Sequence, residues 1–227
     1  MTTILITGAN RGIGLGIARH AVARNHTVIA GVRNPDDAHD IKGIATSVHR
    51  LDTTDQASIT KLAGDLAQTP IDILVNNAGV FPHECDDIND FDVEAYERVM
   101  RINTLGPILM SRAMIPHVER SQRKLIVQIT SNLGSITDAS KGHAGFLGYR
   151  TSKAALNMAS ATMAHQLKDK GITCVALHPG WVKTDMGGPM GDLTPEDATA
   201  SIMSTIESLT HDDNGAYMDY AGKTLTW

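Results

Sequence analysis

The sequence predicts an α/β fold: a Rossmann-like, doubly wound, mostly parallel seven-stranded sheet in a single domain spanning residues 1–227. Three observations predict it. Apolar runs of strand length alternate with longer stretches of helical period, which is how βαβ units read in sequence. The runs Ile71–Val75, Lys124–Ile129 and Ile172–Leu177 are close to continuously apolar, as parallel strands buried on both faces are. The first run also leads directly into a glycine-rich turn and then a helical pattern. With 227 residues and 42% hydrophobic side chains, the chain has enough apolar mass for one core of this size.

Taken in order, strands are expected at 3–7, 27–32, 47–51, 72–76, 124–130, 172–177 and 216–219. Helices are expected between them, at 12–24, 55–67, 92–119, 149–169 and 195–208. The last opens on Thr194-Pro195-Glu196-Asp197, a capping residue followed by proline at the first helical position. Segments 81–91, 132–148 and 181–194 are rich in Gly, Pro, Asp and Ser and read as irregular. In open α/β sheets, ligands bind in the crevice outside the carboxyl ends of the strands, where such segments lie.

Composition excludes several classes of function. A formal charge of −5, with Lys and Arg scattered, offers no basic face for nucleic acid. Cys85 and Cys174 stand far apart with no CxxC pair, so neither a disulfide framework nor a zinc site is expected, and a reducing cytoplasm fits best. The start of the chain lacks a basic n-region, and no apolar run reaches the ~20 residues a membrane helix needs, so a soluble protein with no membrane partner is expected. Without a secretory signal, Asn25-His26-Thr27 is an accidental glycosylation match. The 10 histidines form neither HExxH nor HxH, so no metal site is expected.

The turn after the first strand reads Thr7-Gly8-Ala9-Asn10-Arg11-Gly12-Ile13-Gly14. Gly8 allows a tight turn, Gly12 a close approach of backbone to pyrophosphate, and Gly14 close packing, with a helix N-terminus facing the negative charge. The spacing Gly-x-x-x-Gly-x-Gly resembles that of the short-chain dehydrogenases/reductases, and the resemblance continues along nearly the whole chain. Asn76-Asn77-Ala78-Gly79 resembles the family's motif after the fourth strand, and Asn103 matches its catalytic asparagine. Ser131 ends the fifth strand, Tyr149-Arg150-Thr151-Ser152-Lys153 matches Tyr-x-x-x-Lys, and Pro179-Gly180 with Val182 and Thr184 matches the segment after the sixth. Within the family, Tyr149–Asn157, Gly134-Ser135-Ile136 and the close on Gly222-Lys223 and Trp227 look most like the C-factor and sniffer-type carbonyl reductases.

The cofactor this resemblance implies is NADP(H). The second strand ends without a carboxylate and is followed by Arg33, while Arg11 precedes Gly12, and two guanidinium groups favour a 2′-phosphate. Asp36 and Asp37 lie further on, in what reads as a turn-to-helix cap. Asp52 resembles an adenine-contacting aspartate and reads equally well as a cap.

On a helix, Tyr149 and Lys153 are four residues apart and share a face. A nearby cation and the nicotinamide's charge favour phenolate and draw the tyrosine down from its ordinary value of about 10. The family implies that Tyr149 exchanges the proton, Ser131 polarises the carbonyl, Lys153 orients the ribose and Asn103 holds a water. Tyr149 follows Ser131 by eighteen positions, several more than the family's usual interval, so a loop insertion is expected there, and Ser135 is the rival for the serine role. His83, Cys85, His143, Phe146, Trp181 and Met186 are expected around the nicotinamide, in a mixed, moderately apolar pocket.

The implied function is reversible NADPH-dependent reduction of an aldehyde, ketone or quinone. Two alternatives stand beside it: an NAD-dependent alcohol dehydrogenase, and an NAD(P)-binding signalling protein of C-factor type. Met158, Met163 and Leu167 extend the apolar positions of their helix beyond one buried face, and in this family such helices pack between subunits, so a homodimer or homotetramer is expected.

Overall fold

The computed structural model describes residues 1–142 and 145–227. Seven strands, β1 (Thr3–Thr7), β2 (Thr27–Val32), β3 (Ser47–Arg50), β4 (Ile73–Asn76), β5 (Leu125–Ile129), β6 (Thr173–His178) and β7 (Tyr217–Asp219), form one sheet in the order β3-β2-β1-β4-β5-β6-β7. Every neighbouring pair is parallel. Each parallel connection needs a crossover. The helices supplying these are α1 (Gly12–Ala23), α2 (His39–Lys42), α3 (Gln56–Asp65), α4 (Val93–Met100), α5 (Gly106–Glu119), α6 (Ile136–Ala139), α7 (Leu147–Gln166) and α8 (Pro195–Ser208).

Alternate residues of each central strand feed opposite layers, because side chains alternate across a pleated strand. Ile4 and Ile6 of β1, Ile73 and Val75 of β4 and Val127 of β5 pack with Ile17, Ala18 and Ala21 of α1 and Ile202, Met203 and Ile206 of α8. Leu5, Leu74 and Ile126 face the other way, onto Ile59 and Leu62 of α3 and Met110, Met114 and Val118 of α5. Strands sandwiched in this way must be apolar on both faces, which is why they read as unbroken runs.

Two expected helices differ in form. The 92–119 helix is α4 and α5 joined by a π-helical turn, Arg101–Leu105. Pro107 has no N–H to give the Asn103 carbonyl four residues earlier, so the α-helical ladder is interrupted at that point. The expected 149–169 helix begins two residues earlier, at Leu147, after Phe146 with φ at +59°, and its end tightens into a short 3-10 turn, Lys168–Lys170. The four-residue helices α2 and α6, too short to show a period, lie in segments without an expected element. Among the described residues no helix is long and apolar enough to cross a membrane.

Strand order reverses direction between β1 and β4, and the carboxyl ends of these two strands flank a cleft of about 730 Å³. That is the switch point at which open α/β sheets hold ligands.

Candidate active site

The cleft has two ends, built from different parts of the chain. At one end, β1 gives way to the glycine turn. Gly8 has φ at +65°, and a Cβ there would stand 3.1 Å from the Ala78 Cα. Gly14 lies in the first turn of α1, where a Cβ would meet both the Gly8 carbonyl oxygen and the Asn77 Nδ2 at 2.5 Å. The turn is clipped to the exit of β4. The Thr7 hydroxyl accepts from the backbone N–H groups of Asn77 and Ala78, each at 3.0 Å, and Asn77 Nδ2 donates to the Thr7 carbonyl at 2.9 Å. Helix α1 has no side-chain cap and no acidic residue in its first turn, and Gly12 and Ile13 line the cleft. Unpartnered N–H groups at the positive end of a helix are an anion site.

Asn10, Arg11, Arg33, Asp52 and Ala78 also line this end. Arg33 is exposed at the end of β2. Arg11 reaches across the mouth to Asp185 at 3.4 Å in an exposed ion pair. Asp52 accepts from the backbone N–H and hydroxyl of Thr54, at 2.8 and 2.7 Å. Those bonds hold its carboxyl below the ordinary range, with help from the Arg33 and Arg50 guanidinium groups. The cap of α3 is Asp55, whose side chain accepts from Ala57 N–H. Asp52 therefore shapes the turn before that cap while remaining on the cleft wall.

At the other end, Tyr149 and Lys153 of α7 are both buried and both line the cleft, with Nζ 5.6 Å from the phenol ring centroid. Lys153 Nζ donates to the Ile129 carbonyl at 2.9 Å. Burial lowers Lys153 to about 8. It also pushes the Tyr149 phenol up to about 12, with a hydrogen bond from Ser131 acting in the opposite direction. The direction for Tyr149 is opposite to the one expected from sequence. Within the protein alone, desolvation of the phenolate outweighs the opposing effect of Ser131.

Ser131 therefore stands beside the Tyr149 phenol. Ser135 is occupied elsewhere, its hydroxyl accepting from Asp138 N–H to cap α6. The longer interval between Ser131 and Tyr149 contains α6.

Asn103 is fully buried in the π-helical turn. Its amide pairs with both backbone groups of Val80, accepting from N–H and donating to the carbonyl at 2.9 Å each, and donates to the Ser152 hydroxyl at 3.1 Å. The π-helical turn thus ties the exit of β4 to α7. Gly79 lies between: a Cβ there would stand 3.3 Å from Asn103 Oδ1 and 3.8 Å from Lys153 Nζ.

After β6, Pro179 and Thr184 line the cleft. Gly180 has φ at +84°, and buried Val182 bridges to Leu193, closing the base of the 181–193 loop. Trp181 is half-exposed with its indole N–H on the Gly187 carbonyl at 2.7 Å, and Met186 faces the cleft. Phe81, which sequence reasoning did not single out, packs 4.4 Å from the Tyr149 ring, with Phe146 at 5.1 Å and His83 at 5.2 Å from its own centroid. Cys85 corrects the expectation placed on it: it is fully buried against Ala95 and Val99 beneath Gly148 and is not among the described residues that line the cleft. His143 lies outside the described residues.

Further residues that sequence reasoning passed over hold the exit of β5. Asn157 accepts from the Thr130 hydroxyl at 2.6 Å, and Tyr217 donates to the Ser131 carbonyl at 2.7 Å. Asn157 stands four residues after Lys153, a helical spacing that could have flagged it; nothing local marks Tyr217.

Comparison with known proteins agrees with this geometry. The family model for short chain dehydrogenase matches residues 2–193. The C-signal of Myxococcus xanthus is 38% identical over 165 residues, 73% of this chain and 98% of that protein. The NADPH-bound carbonyl reductase from chicken fatty liver is 33% identical with a TM-score of 0.92, covering 100% of this chain and 99% of its own. The carbonyl reductase Sniffer of D. melanogaster is 32% identical with a TM-score of 0.93 over 100% of both chains. With its glycine turn at the switch point, its buried Tyr149–Lys153 pair and a family match over most of its length, the chain belongs to the short-chain dehydrogenase/reductase family.

Proposed function

We propose that the protein reduces aldehydes, ketones or quinones with NADPH, with Tyr149 as proton donor. The observation that carries this reading is the state of Tyr149. It is a buried phenol on the cleft wall, beside Ser131 and with Lys153 Nζ 5.6 Å from its ring centroid, and it holds its proton throughout the neutral range. Reduction of a carbonyl needs a positioned acid of this kind.

The cleft fits the cofactor. Glycines occupy positions where a Cβ would collide, and an uncapped helix end faces the space. Arg11 and Arg33 provide two guanidinium groups on the same wall, which suits a 2′-phosphate. The similar carbonyl reductase from chicken fatty liver is NADPH-bound, and a similar Burkholderia multivorans protein carries bound NADP. Bound NADPH supplies a hydride to the carbonyl carbon.

The chain's own groups do the rest. Ser131 donates to the carbonyl oxygen and holds it beside Tyr149. As negative charge builds on that oxygen, Tyr149 gives up its phenolic proton to it. Lys153, cationic at neutral pH with a value near 8, offsets the phenolate left behind and takes part in binding the ribose. Asn103 holds Val80 and the Ser152 hydroxyl, keeping α7 at a set distance from the exit of β4. Phe81 and Phe146 stand beside Tyr149 and present an apolar surface to the substrate. In oxidation the same phenol, once ionised, would receive the alcohol's proton.

A screen of aldehydes, ketones, quinones and alcohols with NADPH and NADH tests the reading. The expected outcome is NADPH oxidation that Tyr149→Phe abolishes. Unchanged turnover in that variant would overturn it. A binding-only signalling module has no use for a lysine whose charge costs stability in a dry site, which argues for turnover. Of the three residues expected at a subunit contact, Leu167 and Met163 pack into the core instead, while Met158, 67% exposed on α7, and Leu105, 39% exposed at the end of the π-helical turn, support a homo-oligomer built on these helices. Sedimentation showing a monomer at micromolar concentration would remove that support.

A further inference from the structure

We propose that Tyr217 is a positioning residue for the site: by holding the Ser131 carbonyl, it sets where the Ser131 hydroxyl stands relative to Tyr149. This rests on the proposed carbonyl reduction for its kinetic consequence, though not for its geometry.

The argument begins where β5 leaves the sheet. The last sheet bond on that side is Thr130 N–H to the Leu177 carbonyl, at 2.9 Å. Ser131 follows in extended conformation, and the chain then turns into a short 3-10 turn, Asn132–Gly134. The serine is thus the first residue beyond the ladder, where its place is no longer set by strand pairing. Its hydroxyl has local partners to fall onto, accepting from Leu133 N–H at 3.2 Å and lying 3.4 Å from the Asn132 side-chain oxygen. Where the hydroxyl points therefore depends on where the main chain is pinned.

Three buried side chains pin it. Lys153 takes the Ile129 carbonyl, and Asn157 takes the Thr130 hydroxyl and, at 3.3 Å, the Gly134 carbonyl. Both come from α7, the helix that also carries Tyr149. Tyr217 alone of the three comes from β7 and acts on Ser131 itself, its O–H donating to the serine carbonyl at 2.7 Å. The phenol is 1% exposed, and its ring stacks under Trp227 with centroids 4.9 Å apart. Trp227 in turn accepts from Thr137 N–H at 3.0 Å, in α6. Burial pushes the Tyr217 phenol up to about 12, so it remains a donor across the working range. A core aromatic needs no hydroxyl, and phenylalanine would fill the same space. What tyrosine adds is a hydroxyl that donates to the serine carbonyl and also meets the Asn157 side chain, so it ties β7 to both the exit of β5 and α7.

The test is a double-mutant cycle read in two ways. Tyr217→Phe, Ser131→Ala and the double variant are assayed with NADPH and the best carbonyl from the screen. Ser131→Ala is expected to lower kcat about 100-fold, the usual order for losing one such donor. Tyr217→Phe is expected to lower it about 10-fold through misplacement of that donor, with KM for NADPH unchanged within about twofold. In the Ser131→Ala background, Tyr217→Phe is expected to change kcat by less than about twofold.

The second reading needs no substrate. The chain has only 4 tyrosines, so tyrosine labelled at Cζ gives one carbon resonance per residue, four in the wild type. The Tyr149 signal is expected to move in Ser131→Ala, to move the same way in Tyr217→Phe, and to move no further in the double variant. Losses that multiply in the double variant, or a Tyr149 signal left in place by Tyr217→Phe, would overturn the proposal. If no carbonyl is turned over, the proposed function fails and the resonance arm still decides the role of Tyr217.

Discussion

The two ends of the cleft achieve their fit by opposite means. The cofactor end is made of absences and exposed charge: no Cβ at Gly8, Gly12 and Gly14, and guanidinium groups at the surface on Arg11 and Arg33. The proposed catalytic end is made of buried polar groups, Asn103, Ser131, Tyr149 and Lys153. Exposed charges are screened and replaceable, so changes there should grade affinity. Buried groups have no water to substitute for a lost partner, so changes there should act on turnover and stability in large steps.

The largest effect should come from Tyr149→Phe, which removes the acid and leaves the ring against Phe81. Turnover should fall by about 1,000-fold or more while NADPH affinity, measured by fluorescence titration, stays within a few-fold. Comparable loss of affinity would mean that the two ends are not separable.

Gly14→Ala should come next, and it tests whether the cofactor end tolerates any side chain. The added Cβ would stand 2.5 Å from backbone oxygen, which cannot yield cheaply. A loss of roughly 1–3 kcal/mol in denaturant stability is expected, together with at least tenfold weaker NADPH binding. A variant of full stability and affinity would show the turn to be softer than described.

Arg33→Asp should reverse the preference for NADPH over NADH by about 10- to 100-fold in kcat/KM, the scale of one charge-assisted phosphate contact. Turnover at saturation should hardly change, which is the graded behaviour expected of this end.

Lys153→Met separates function from stability at the buried end. Activity should be lost, yet the cofactor-free protein should gain ~1 kcal/mol near pH 7, or roughly 2–4 °C in Tm, since a charge no longer has to be desolvated. The sign with pH follows from the lowered value. Folded Lys153 loses its proton near 8, while the unfolded lysine keeps it to about 10.5, so between these limits the unfolded state binds more protons. Wild-type stability should therefore rise relative to the variant over that window and the gap should close. A gap that widens with pH would contradict the burial argument.

Smallest is Asp185→Asn, which frees Arg11 from an ion pair whose side chains are 66% and 86% exposed. NADPH affinity should change by no more than about twofold, and the change should vanish in high salt.

How much was legible beforehand follows the same division. The glycine turn, the succession of strands and helices along the chain and the Tyr149–Lys153 pair could be read because each rests on a short-range rule: strand, turn and helix in sequence, or residues four apart on one helix face. Boundaries were right to within one or two residues where the apolar period was strong, and less informative where it was weak, as at α2 and α6. Cys85 was misplaced because a loop residue's side chain is aimed by packing, here beneath Gly148, and no local pattern encodes that.

By itself, then, the sequence determined the βαβ architecture, the anion-binding turn and which side chains were available for proton transfer. Those depend on backbone conformation and periodicity, which are local. Only the tertiary structure decided how deeply Tyr149 is buried, which raises its phenol in the cofactor-free chain. Only there, too, did Ser131 and not Ser135 meet the phenol, with Tyr217, 86 residues further on, holding the serine's carbonyl. Desolvation and long-range hydrogen bonds depend on what the folded chain brings together, and sequence distance carries no record of that.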